Sequence, residues 1–481
     1  MDTRSDIQSV PLVVDLDGTL IESDLLHECV LRLLRQNPLF LLMFPTWLAG
    51  GKARFKHEVF SRVVPDPQQL RFRESVVEAL RQAKIAGRHT VLATASDQRH
   101  AEAISDHLGT IETVMGSTRD LNLRSGAKAD ALIEKYGDGG FDYFGNSADD
   151  VAVFDGAREA TAVAPDKQAL KWALEHDAPI VDGSSASPKQ YLKLLRVHQW
   201  AKNLLIAVPV VLDHRIGDAT ALAQVAIAFF AFSFVASAVY IINDLFDLAS
   251  DRKHPTKHKR PLAACTISIA SGLKIAFALL VAAVSLTLLL PPVFGLVLVG
   301  YFILTTAYSL RIKQFMLIDV LVLASLYTVR VIAGAAATTI APSFWLLAFS
   351  VFFFLSLALV KRYVELDQAE IVAKEKLAGR GYRREDKDVL GQAGMASGFA
   401  SVVVLALYLD SPAIYALYAE PWMIWPLCPL VLYIIIRIWI LAHRAEFNDD
   451  PVVFVMTDWR SQFMIGAGAL MLLLASIPIH G

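Results

Sequence analysis

Residues 219–251 read ATALAQVAIAFFAFSFVASAVYIINDLFDLASD, an apolar run that ends in three acids. The run is long enough to cross a bilayer as a helix. Asp244, Asp247 and Asp251 are spaced three and four residues apart, so they share one helical face. Acids at the end of a membrane helix are costly unless they bind something. A charged helix end at the interface would not explain the basic stretch at 252–260. Acids that bridge Mg²⁺ to a diphosphate, with cations beside them, explain both features.

The composition indicates more than one domain and a large membrane part. The chain has 481 residues, 55% of them hydrophobic, and its mean hydropathy is +0.45. The apolar excess begins after Pro188, where runs of roughly twenty apolar residues recur. The formal net charge of −2 gives no case for binding nucleic acid. Cys29, Cys265 and Cys428 lie far apart, which predicts buried structural thiols and no disulfide framework.

Nine apolar segments follow the N-terminal part, and the charges between them indicate an orientation. Loops after the even-numbered segments are rich in Lys and Arg, whereas the opposite loops hold almost nothing basic beyond Arg215. By the positive-inside rule, the basic loops and the N-terminal domain are cytosolic and the C-terminus is not. We therefore expect a multi-pass protein of a bacterial-type inner (plasma) membrane. The segments are about 191–213, 219–246, 267–290, 292–310, 317–338, 341–361, 394–410, 421–443 and 460–479.

The N-terminal part carries a pair of carboxylates at the end of a predicted strand. Residues 13–20 read VVDLDGTL. In an α/β fold the active site lies at the carboxyl ends of the strands, and strand alternation points Asp15 and Asp17 to one face. The pair suits a reaction in which Asp15 attacks a phosphoryl group and Asp17 handles the proton, while a cation neutralises the oxygens. Taken alone, the motif would indicate only two solvated acids in a turn.

Three further motifs favour phosphoryl chemistry. VLATAS at 91–96 predicts a strand that ends in a phosphate-binding hydroxyl, Lys128 follows a turn, and FDYFGNSADD at 141–150 predicts a strand that ends in acids suited to Mg²⁺. In this order the motifs resemble those of haloacid dehalogenase-type phosphatases, over about residues 8–170. The resemblance implies the nucleophile Asp15, the acid/base Asp17, phosphate ligands Thr94 and Lys128, and Mg²⁺ ligands Asp15, Asp17, Asn146 and Asp150.

Two features of this domain leave alternatives open. Many members of that family carry Asp where this chain has Asn146, and an amide oxygen brings no charge to a metal, so a regulatory role competes with catalysis. Residues 21–89 have a helical pattern, and the resemblance implies a cap there. Within them, PLFLLMFPTWLAG at 38–50 is too short to span a membrane and is broken by Pro45. It is either the core of the cap or an edge that dips into the membrane toward a lipid-linked substrate.

The acidic motif of the first membrane helices also has a family resemblance. NDLFDLASD at 243–251, followed by HPTKHKRPL at 254–262, is similar to the first aspartate motif of UbiA-superfamily membrane transferases. That superfamily commonly has a second motif, DxxxD, but here Asp319 stands alone among basic residues. The sequence therefore predicts a Rossmann-like α/β haloacid dehalogenase domain with a helical cap at 1–181, a linker at 182–189, and an all-α nine-helix transmembrane UbiA-type bundle at 190–481.

Further motifs indicate one branch of that superfamily. LRVHQWAKNLL at 195–205, YSLRIK at 308–313, LVKRYVEL at 359–366, GRGYR at 379–383 and DPVVFVMTDWRS at 450–461 together resemble decaprenyl-phosphate phosphoribosyltransferases. The resemblance implies transfer of 5-phosphoribose from phosphoribosyl pyrophosphate to a polyprenyl phosphate lipid, with Mg²⁺ on Asp244, Asp247 and Asp251 holding the diphosphate. An anionic acceptor also explains why bases replace the second acidic motif.

Both implied substrates carry phosphate, so the candidate substrate-binding residues are mainly cationic. They are Lys202, Asn243, Lys259, Arg260, Tyr308, Arg311, Lys313, Asp319, Arg330, Lys361 and Arg362. For Lys202 and Arg330, snorkelling or helix pairing is a competing interpretation.

The two halves suit consecutive steps, in which the soluble domain removes the 5-phosphate after transfer. The alternative is a prenyltransferase that moves an isoprenoid from its diphosphate to an aromatic or other acceptor, with the soluble domain as a regulatory module. A homo-oligomer is left open.

Overall fold

Six short strands near the N-terminus form one parallel sheet. They are β1 (Leu12–Val14), β2 (Thr90–Asp97), β3 (Thr113–Ser117), β4 (Asp142–Gly145), β5 (Glu159–Val163) and β6 (Ile180–Val181). The order is β3-β2-β1-β4-β5-β6, and Val13 pairs with Val91 on one side and Tyr143 on the other. The carboxyl ends of β1, β2 and β4 therefore meet at one edge, where α/β folds bind their ligands. The predicted parallel α/β domain is confirmed.

The computed structural model describes residues 10–118, 122–183, 186–371, 381–446 and 450–477. It divides into two compact units, one formed by Met1–Leu194 with Ile241–Ile275 and the other by Leu195–Tyr240 with Ala276–Gly481. The predicted linker at 182–189 contains residues 184 and 185, which lie outside the described chain, so the domain boundary stays a prediction.

Helices cover both faces of the sheet in the first unit. Apolar residues of β1 point alternately to the two sides, so Leu12 and Val14 join one buried cluster while Val13 joins the other. The helices are Leu25–Gln36, Phe44–Ala49, Lys52–Phe60, Glu74–Ile85, Gln98–Leu108, Gly126–Tyr136, Val151–Gly156, Lys167–Glu175, Pro188–Leu195 and Leu248–Lys253. As predicted, the chain between β1 and β2 is helical. In its apolar stretch at 38–50, Trp47 is buried but most of the leucines are exposed.

Seven helices within the described ranges are long and apolar enough to cross a membrane. They are Ala219–Phe246, Ile269–Thr287, Pro292–Leu310, Ile318–Thr338, Phe344–Asp367, Arg384–Leu409 and Pro421–His443. They correspond to the second through eighth predicted segments. The first and last segments form the shorter apolar helices Val197–Leu212 and Trp459–Ala475, so a total of nine spans stays a prediction. Shorter helices of this part are Val208–Leu212, Pro412–Leu417 and Pro451–Thr457.

Helix Ile318–Thr338 lies at the centre of the second unit and is buried along most of its length. It approaches the 3₁₀ helix Val197–Ala207 closely at Gly334. A Cβ at Gly334 would lie 2.0 Å from the carbonyl oxygen of Ile206, which is backbone and cannot rotate away. Only glycine therefore allows this contact.

Gly334→Ala should destabilise the fold, by about 1–3 kcal/mol, because the added methyl group must push two backbones apart. Gly300→Ala is the matched control, since a Cβ at Gly300 meets nothing within 4 Å and alanine favours helix. The measurement is the midpoint of thermal unfolding of the purified protein in detergent. Equal unfolding midpoints for the two variants would show that the backbones at Gly334 and Ile206 do not lie this close together.

Candidate functional site

Three side chains from separate elements meet at the carboxyl edge of the sheet. Asp15 follows β1, Lys128 lies in the first turn of Gly126–Tyr136, and Asp150 lies in the turn after β4. The Lys128 ammonium donates to Asp15 Oδ1 at 2.7 Å and to Asp150 Oδ1 at 2.9 Å. All three side chains are buried. The structure thus brings together two predicted acids and the predicted lysine.

Asp150 uses both of its oxygens within the protein. Oδ1 accepts from Lys128 and from the Tyr143 hydroxyl at 2.6 Å. Oδ2 accepts from the backbone N–H groups of Asn146 and Ser147 at 3.1 Å and from the Ser147 hydroxyl at 2.9 Å. A carboxylate has about four acceptor sites, so these five contacts occupy it fully. In this conformation Asp150 holds the turn and orients Lys128, which the sequence analysis did not anticipate.

Asp17 lies on the same edge with different partners. Its Oδ1 accepts from the backbone N–H of Leu25 at 2.7 Å, and its Oδ2 accepts from the Ser96 hydroxyl at 2.7 Å. The predicted phosphate ligand Thr94 is fully buried, and its hydroxyl accepts from the backbone N–H of Ser96. Ser96 is therefore the hydroxyl of this strand that reaches an acid of the site. Its place in VLATAS, two residues after Thr94 and on the same strand face, was the available signal.

Burial changes the acidity of these groups. Burial raises the pKa of Asp15, and the carboxylates of Asp150 and Asp17 raise it further against the opposing charge of Lys128. Burial and the nearby Asp24 likewise raise the pKa of Asp17. Burial alone would lower the pKa of Lys128, but Asp15 and Asp150 outweigh it and leave that pKa raised. A carboxyl with a raised pKa is suited to carry a proton, but the pKa is raised at both Asp15 and Asp17, so the shift alone does not tell the nucleophile from the acid/base.

A cavity of about 740 Å³ opens over these residues. Gly18 and Asn146 are in close contact on its wall: φ of Gly18 is +79°, and a Cβ there would lie 2.1 Å from Asn146 Nδ2. The cavity mixes acids with many cations, which suits a phosphorylated ligand with a metal ion. Its basic lining residues are His27, Lys52, Lys56, Arg73, Arg124 and Lys128, and Leu262 with residues 265–269 supplies an uncharged wall.

The acids after the first long helix converge on an arginine. Arg260 Nη1 lies 3.0 Å from Asp244 Oδ1 and 2.6 Å from Asp251 Oδ2. Asp247 and Asn243 are half-buried on the same segment. Within the described ranges, no three acid, histidine or cysteine side chains come close enough together to hold a metal. Two carboxylates that face one cation still fit Mg²⁺, which typically takes one or two carboxylates and completes its shell with substrate phosphates and water.

Arg252 ties this acidic segment to the helices between β1 and β2. Its guanidinium donates to Glu28 Oε1 at 2.6 Å, to the carbonyl oxygen of Gln69 at 2.9 Å and to Cys265 Sγ at 3.5 Å. The Arg252 side chain is 9% exposed, so the pair with Glu28 is shielded from water. Sequence reasoning placed Arg252 only in a basic loop and missed this contact.

A buried carboxylate organises the cations of the second unit. Asp450 Oδ2 lies 2.7 Å from Lys202 Nζ and 3.0 Å from Lys361 Nζ, and the Tyr327 hydroxyl donates to the same carboxylate at 2.9 Å. Asp450 also accepts from the backbone N–H of Val452 and so starts helix Pro451–Thr457. The structure thus brings Lys202 and Lys361, two of the candidate substrate-binding residues, to one carboxylate. Asp450 was missed, although its DP dipeptide opens a motif noted in the sequence.

Arg330 lies in the same cluster and has uncharged partners among the described residues. Its Nε donates to Asn203 Oδ1 at 2.8 Å, its Nη2 to the Tyr301 hydroxyl at 3.3 Å, and its Nη1 to the carbonyl oxygen of Leu326. The guanidinium also lies over the Tyr327 ring, 5.8 Å from its centroid. The side chain is buried, which excludes snorkelling to water.

The remaining candidates divide into an internal group and an exposed group. Arg362 is fully buried, with Nε donating to Asp319 Oδ2 at 2.6 Å and Nη2 donating to the Tyr308 hydroxyl at 2.9 Å. Tyr382 of the GRGYR motif, whose residues 379 and 380 lie outside the described chain, also donates to Asp319. Asp319 and Arg362 therefore pair with each other, and substrate contact by either stays a prediction. The side chains of Lys259 and Arg311 are exposed, and that of Lys313 is half-buried.

Comparison with known proteins identifies the family to which the second half of the chain is similar. A model of the UbiA prenyltransferase family matches residues 206–459. The uncharacterised protein y4nM of Sinorhizobium fredii is 40% identical over 469 residues, which are 96% of this chain and 90% of that protein. The nodulation protein NoeC of Azorhizobium caulinodans is 33% identical over 271 residues, which are 56% of this chain and 88% of NoeC. A decaprenyl-phosphate phosphoribosyltransferase of Mycobacterium tuberculosis is 37% identical over 183 residues, 37% of this chain and 61% of that protein.

Asp450→Asn should lower the free energy of unfolding by about 3 kcal/mol or more, because it removes the carboxylate that buried Lys202 and half-buried Lys361 share. Asp410→Asn is the control, since Asp410 is exposed and its loss leaves no buried charge unpaired. Thermal unfolding in detergent measures both. If Asp450→Asn is no less stable than the control, the carboxylate does not organise this cluster.

Proposed function

This chain belongs to the UbiA prenyltransferase family, and on that premise we propose that it transfers 5-phosphoribose from phosphoribosyl pyrophosphate to a polyprenyl phosphate. An oxygen of the lipid phosphate attacks the anomeric carbon of the ribose as the bond to diphosphate breaks. The transition state resembles an oxocarbenium ion, as in glycosyl transfer generally. The phosphate is already a nucleophile, so no strong protein base is required.

One observation carries this proposal: among the described residues, the cluster around Asp450 holds three cations, buried Lys202 and Arg330 and half-buried Lys361, but one acid. Lys202 and Lys361 share that single carboxylate, and buried Arg330 has uncharged partners among the described residues. Buried positive charge without a counter-ion is costly, so the cluster is suited to an anionic ligand. A lipid phosphate or the 5-phosphate of the donor supplies that anion. An aromatic acceptor brings no anion of its own, so in the alternative reaction only the diphosphate of the isoprenoid donor could balance this charge.

The acidic segment suits the leaving group. Asp244 and Asp251, which both face Arg260, would hold Mg²⁺, and the resemblance implies Asp247 on the same segment as a further ligand. The metal would neutralise the diphosphate as it departs. Arg260, which already contacts two of these acids, can donate charge-assisted hydrogen bonds to an oxygen of the diphosphate. The resemblance to decaprenyl-phosphate phosphoribosyltransferases supports the same donor and acceptor, over 37% of this chain.

Asp244→Ala and Asp247→Ala should each lower the transfer of labelled ribose phosphate to lipid by about 100-fold or more, because the diphosphate loses charge stabilisation in the transition state. The assay uses membranes that contain the protein, labelled phosphoribosyl pyrophosphate and polyprenyl phosphate. Asp213→Ala, which removes an exposed acid, is the control and should keep normal turnover. Near-normal turnover in either variant would refute the acidic site. Consumption of labelled polyprenyl diphosphate in place of the ribose donor would favour the aromatic-acceptor alternative.

For the N-terminal domain we propose a haloacid dehalogenase-type phosphatase that removes the 5-phosphate from the lipid product. An Asp15 oxygen attacks phosphorus, the bond to the ribose 5-oxygen breaks, and Asp17 gives that oxygen its proton. Water then releases phosphate from Asp15. The contact of Lys128 with Asp15 supports this proposal, since the ammonium lies where a transferred phosphoryl group needs positive charge. Asn146 and Asp15 supply oxygen ligands of the kind that Mg²⁺ takes.

Asp15→Asn should stop phosphate release while transfer continues, because an amide is a far poorer nucleophile than a carboxylate at nearly the same size. Chromatography of the lipids should show polyprenyl-phosphoryl ribose 5-phosphate accumulating and the dephosphorylated lipid missing. Asp130→Asn, on the exposed face of Gly126–Tyr136, is the control. Absence of phosphate release in the wild type would instead favour a regulatory domain.

The proposed orientation follows the basic loops and completes this scheme. It places the N-terminal domain on the cytosolic side of a bacterial inner membrane, where a water-soluble donor is available, and the C-terminus on the other side. Residues 372–380 and 478–481, which bear on this orientation, lie outside the described ranges.

A further inference from the structure

An apolar edge projects from the helices between β1 and β2. The 3₁₀ helix Pro38–Met43 and the helix Phe44–Ala49 follow one another directly. Leu39 is 67% exposed and Leu42 is 75% exposed, and Leu41, Met43 and Leu48 are also exposed. Five large apolar side chains within eleven residues of sequence, 38–48, form more than the scattered exposure of an ordinary surface.

The edge is held in place from beneath by aromatic packing. Trp47 is buried, and its ring centroid lies 5.7 Å from that of Phe44, 6.1 Å from that of Phe40 and 6.4 Å from that of Phe55. Phe44 and Phe55 meet edge to face at 5.3 Å. The aromatic residues of this segment therefore pack into the core of the cap, as one of the two interpretations predicted, while its leucines face outward. The exposed leucines are a defined face of an ordered element.

Within residues 29–57 the charges are of one sign, and the first acid that follows, Glu58, lies 4.0 Å from Arg54. Residues 29–57 contain five Lys or Arg residues and no Asp or Glu. Arg35 precedes the apolar edge, and Lys52 and Arg54 follow it, all three exposed. Exposed leucines flanked by cations are the pattern of elements that lie in the surface of an anionic bilayer.

The unit that carries the edge is continuous with membrane helices. It includes Ile241–Ile275, which contains the end of the apolar helix Ala219–Phe246 and the start of Ile269–Thr287. Arg252, just beyond the first of these helices, contacts Glu28 and Gln69 on either side of the apolar edge in sequence. The edge is therefore tied to chain that enters the membrane.

We propose that Pro38–Ala49 lies in the cytosolic surface of the bilayer and presents lipid-linked substrate to the cavity that contains Asp15. Lys52 and Lys56 follow the edge, occupy one face of helix Lys52–Phe60, and line that cavity. They face the phosphodiester that joins the lipid to the sugar, while Lys128 faces the terminal phosphate. The substrate assignment rests on the proposed phosphatase step, whereas the contact with the bilayer does not.

The first experiment measures depth in the membrane on the full-length chain in vesicles of phosphatidylcholine and phosphatidylglycerol. Leu42→Cys carries an environment-sensitive fluorophore, and Leu174→Cys, at a leucine 66% exposed on helix Lys167–Glu175, is the matched control. Labelled wild type corrects for the three native cysteines. Lipids with a shallow nitroxide should quench the probe at position 42 and not the probe at 174, and aqueous iodide should do the reverse.

Three other outcomes overturn the bilayer contact. Quenching of the position 42 probe by iodide alone would place the edge in water. Protection from both quenchers would mean that a protein, such as a second copy of this chain, covers it. Equal lipid quenching at both positions would show no preference for this edge.

A second experiment tests delivery of the substrate. Leu42→Glu should lower phosphate release from the lipid substrate by about tenfold, the scale of losing one buried leucine side chain. Release from soluble ribose 5-phosphate should not change, and Leu174→Glu should affect neither reaction. Equal losses on both substrates would overturn the delivery role. If the wild type releases no phosphate from either substrate, the phosphatase proposal fails while the quenching result still decides the membrane contact.

Discussion

The second unit depends on the contacts that the Asp450 carboxylate makes. The carboxylate draws together Lys202 from the first apolar segment, Tyr327 from the central helix and Lys361 from the next helix, and it also starts the helix that follows it. This carboxylate makes the burial of Lys202 tolerable and also pairs with half-buried Lys361, because each lysine has a counter-ion within hydrogen-bond distance. With Arg330 beside it, the cluster still holds more positive than negative charge. That imbalance is the physical basis for proposing an anionic substrate.

In the first unit the arrangement of charges is the opposite, because one cation lies between two acids. At the sheet edge, Asp15 and Asp150 share Lys128. Around the end of helix Ala219–Phe246, Asp244 and Asp251 share Arg260. In each place two acids are brought close together by one cation, although like charges repel. In the proposed reactions Lys128 and Arg260 would contact phosphate oxygens, and Asp15, Asp244 and Asp251 would supply ligands for Mg²⁺. The protein thereby holds its acids in place before either ligand arrives.

Sequence patterns predicted the strands and helices well, but they did not predict which side chains pair with one another. The run before DLDGT and the acid-tipped strand at 141–150 gave the central strands of the sheet, because buried parallel strands are apolar throughout and end at the functional edge. Seven long helices followed from apolar length alone. Pairing was not predictable in this way, since the contacts of Asp319 with Arg362 and of Asp450 with Lys202 join residues far apart in sequence. Thr94 and Ser96 show the same limit at short range, because both hydroxyls are buried on one strand face and differ in their partners: Ser96 donates to Asp17, whereas Thr94 accepts from the backbone.

Mass spectrometry of the lipids made by the purified wild-type protein tests the central claim most directly. The protein in vesicles receives polyprenyl phosphate and phosphoribosyl pyrophosphate with a ¹³C-labelled ribose. The account predicts polyprenyl phosphate carrying one labelled pentose, together with its 5-phosphorylated precursor at early times. A lipid pool without labelled pentose, alongside a prenylated aromatic product when polyprenyl diphosphate and an aromatic acceptor are supplied, would contradict it.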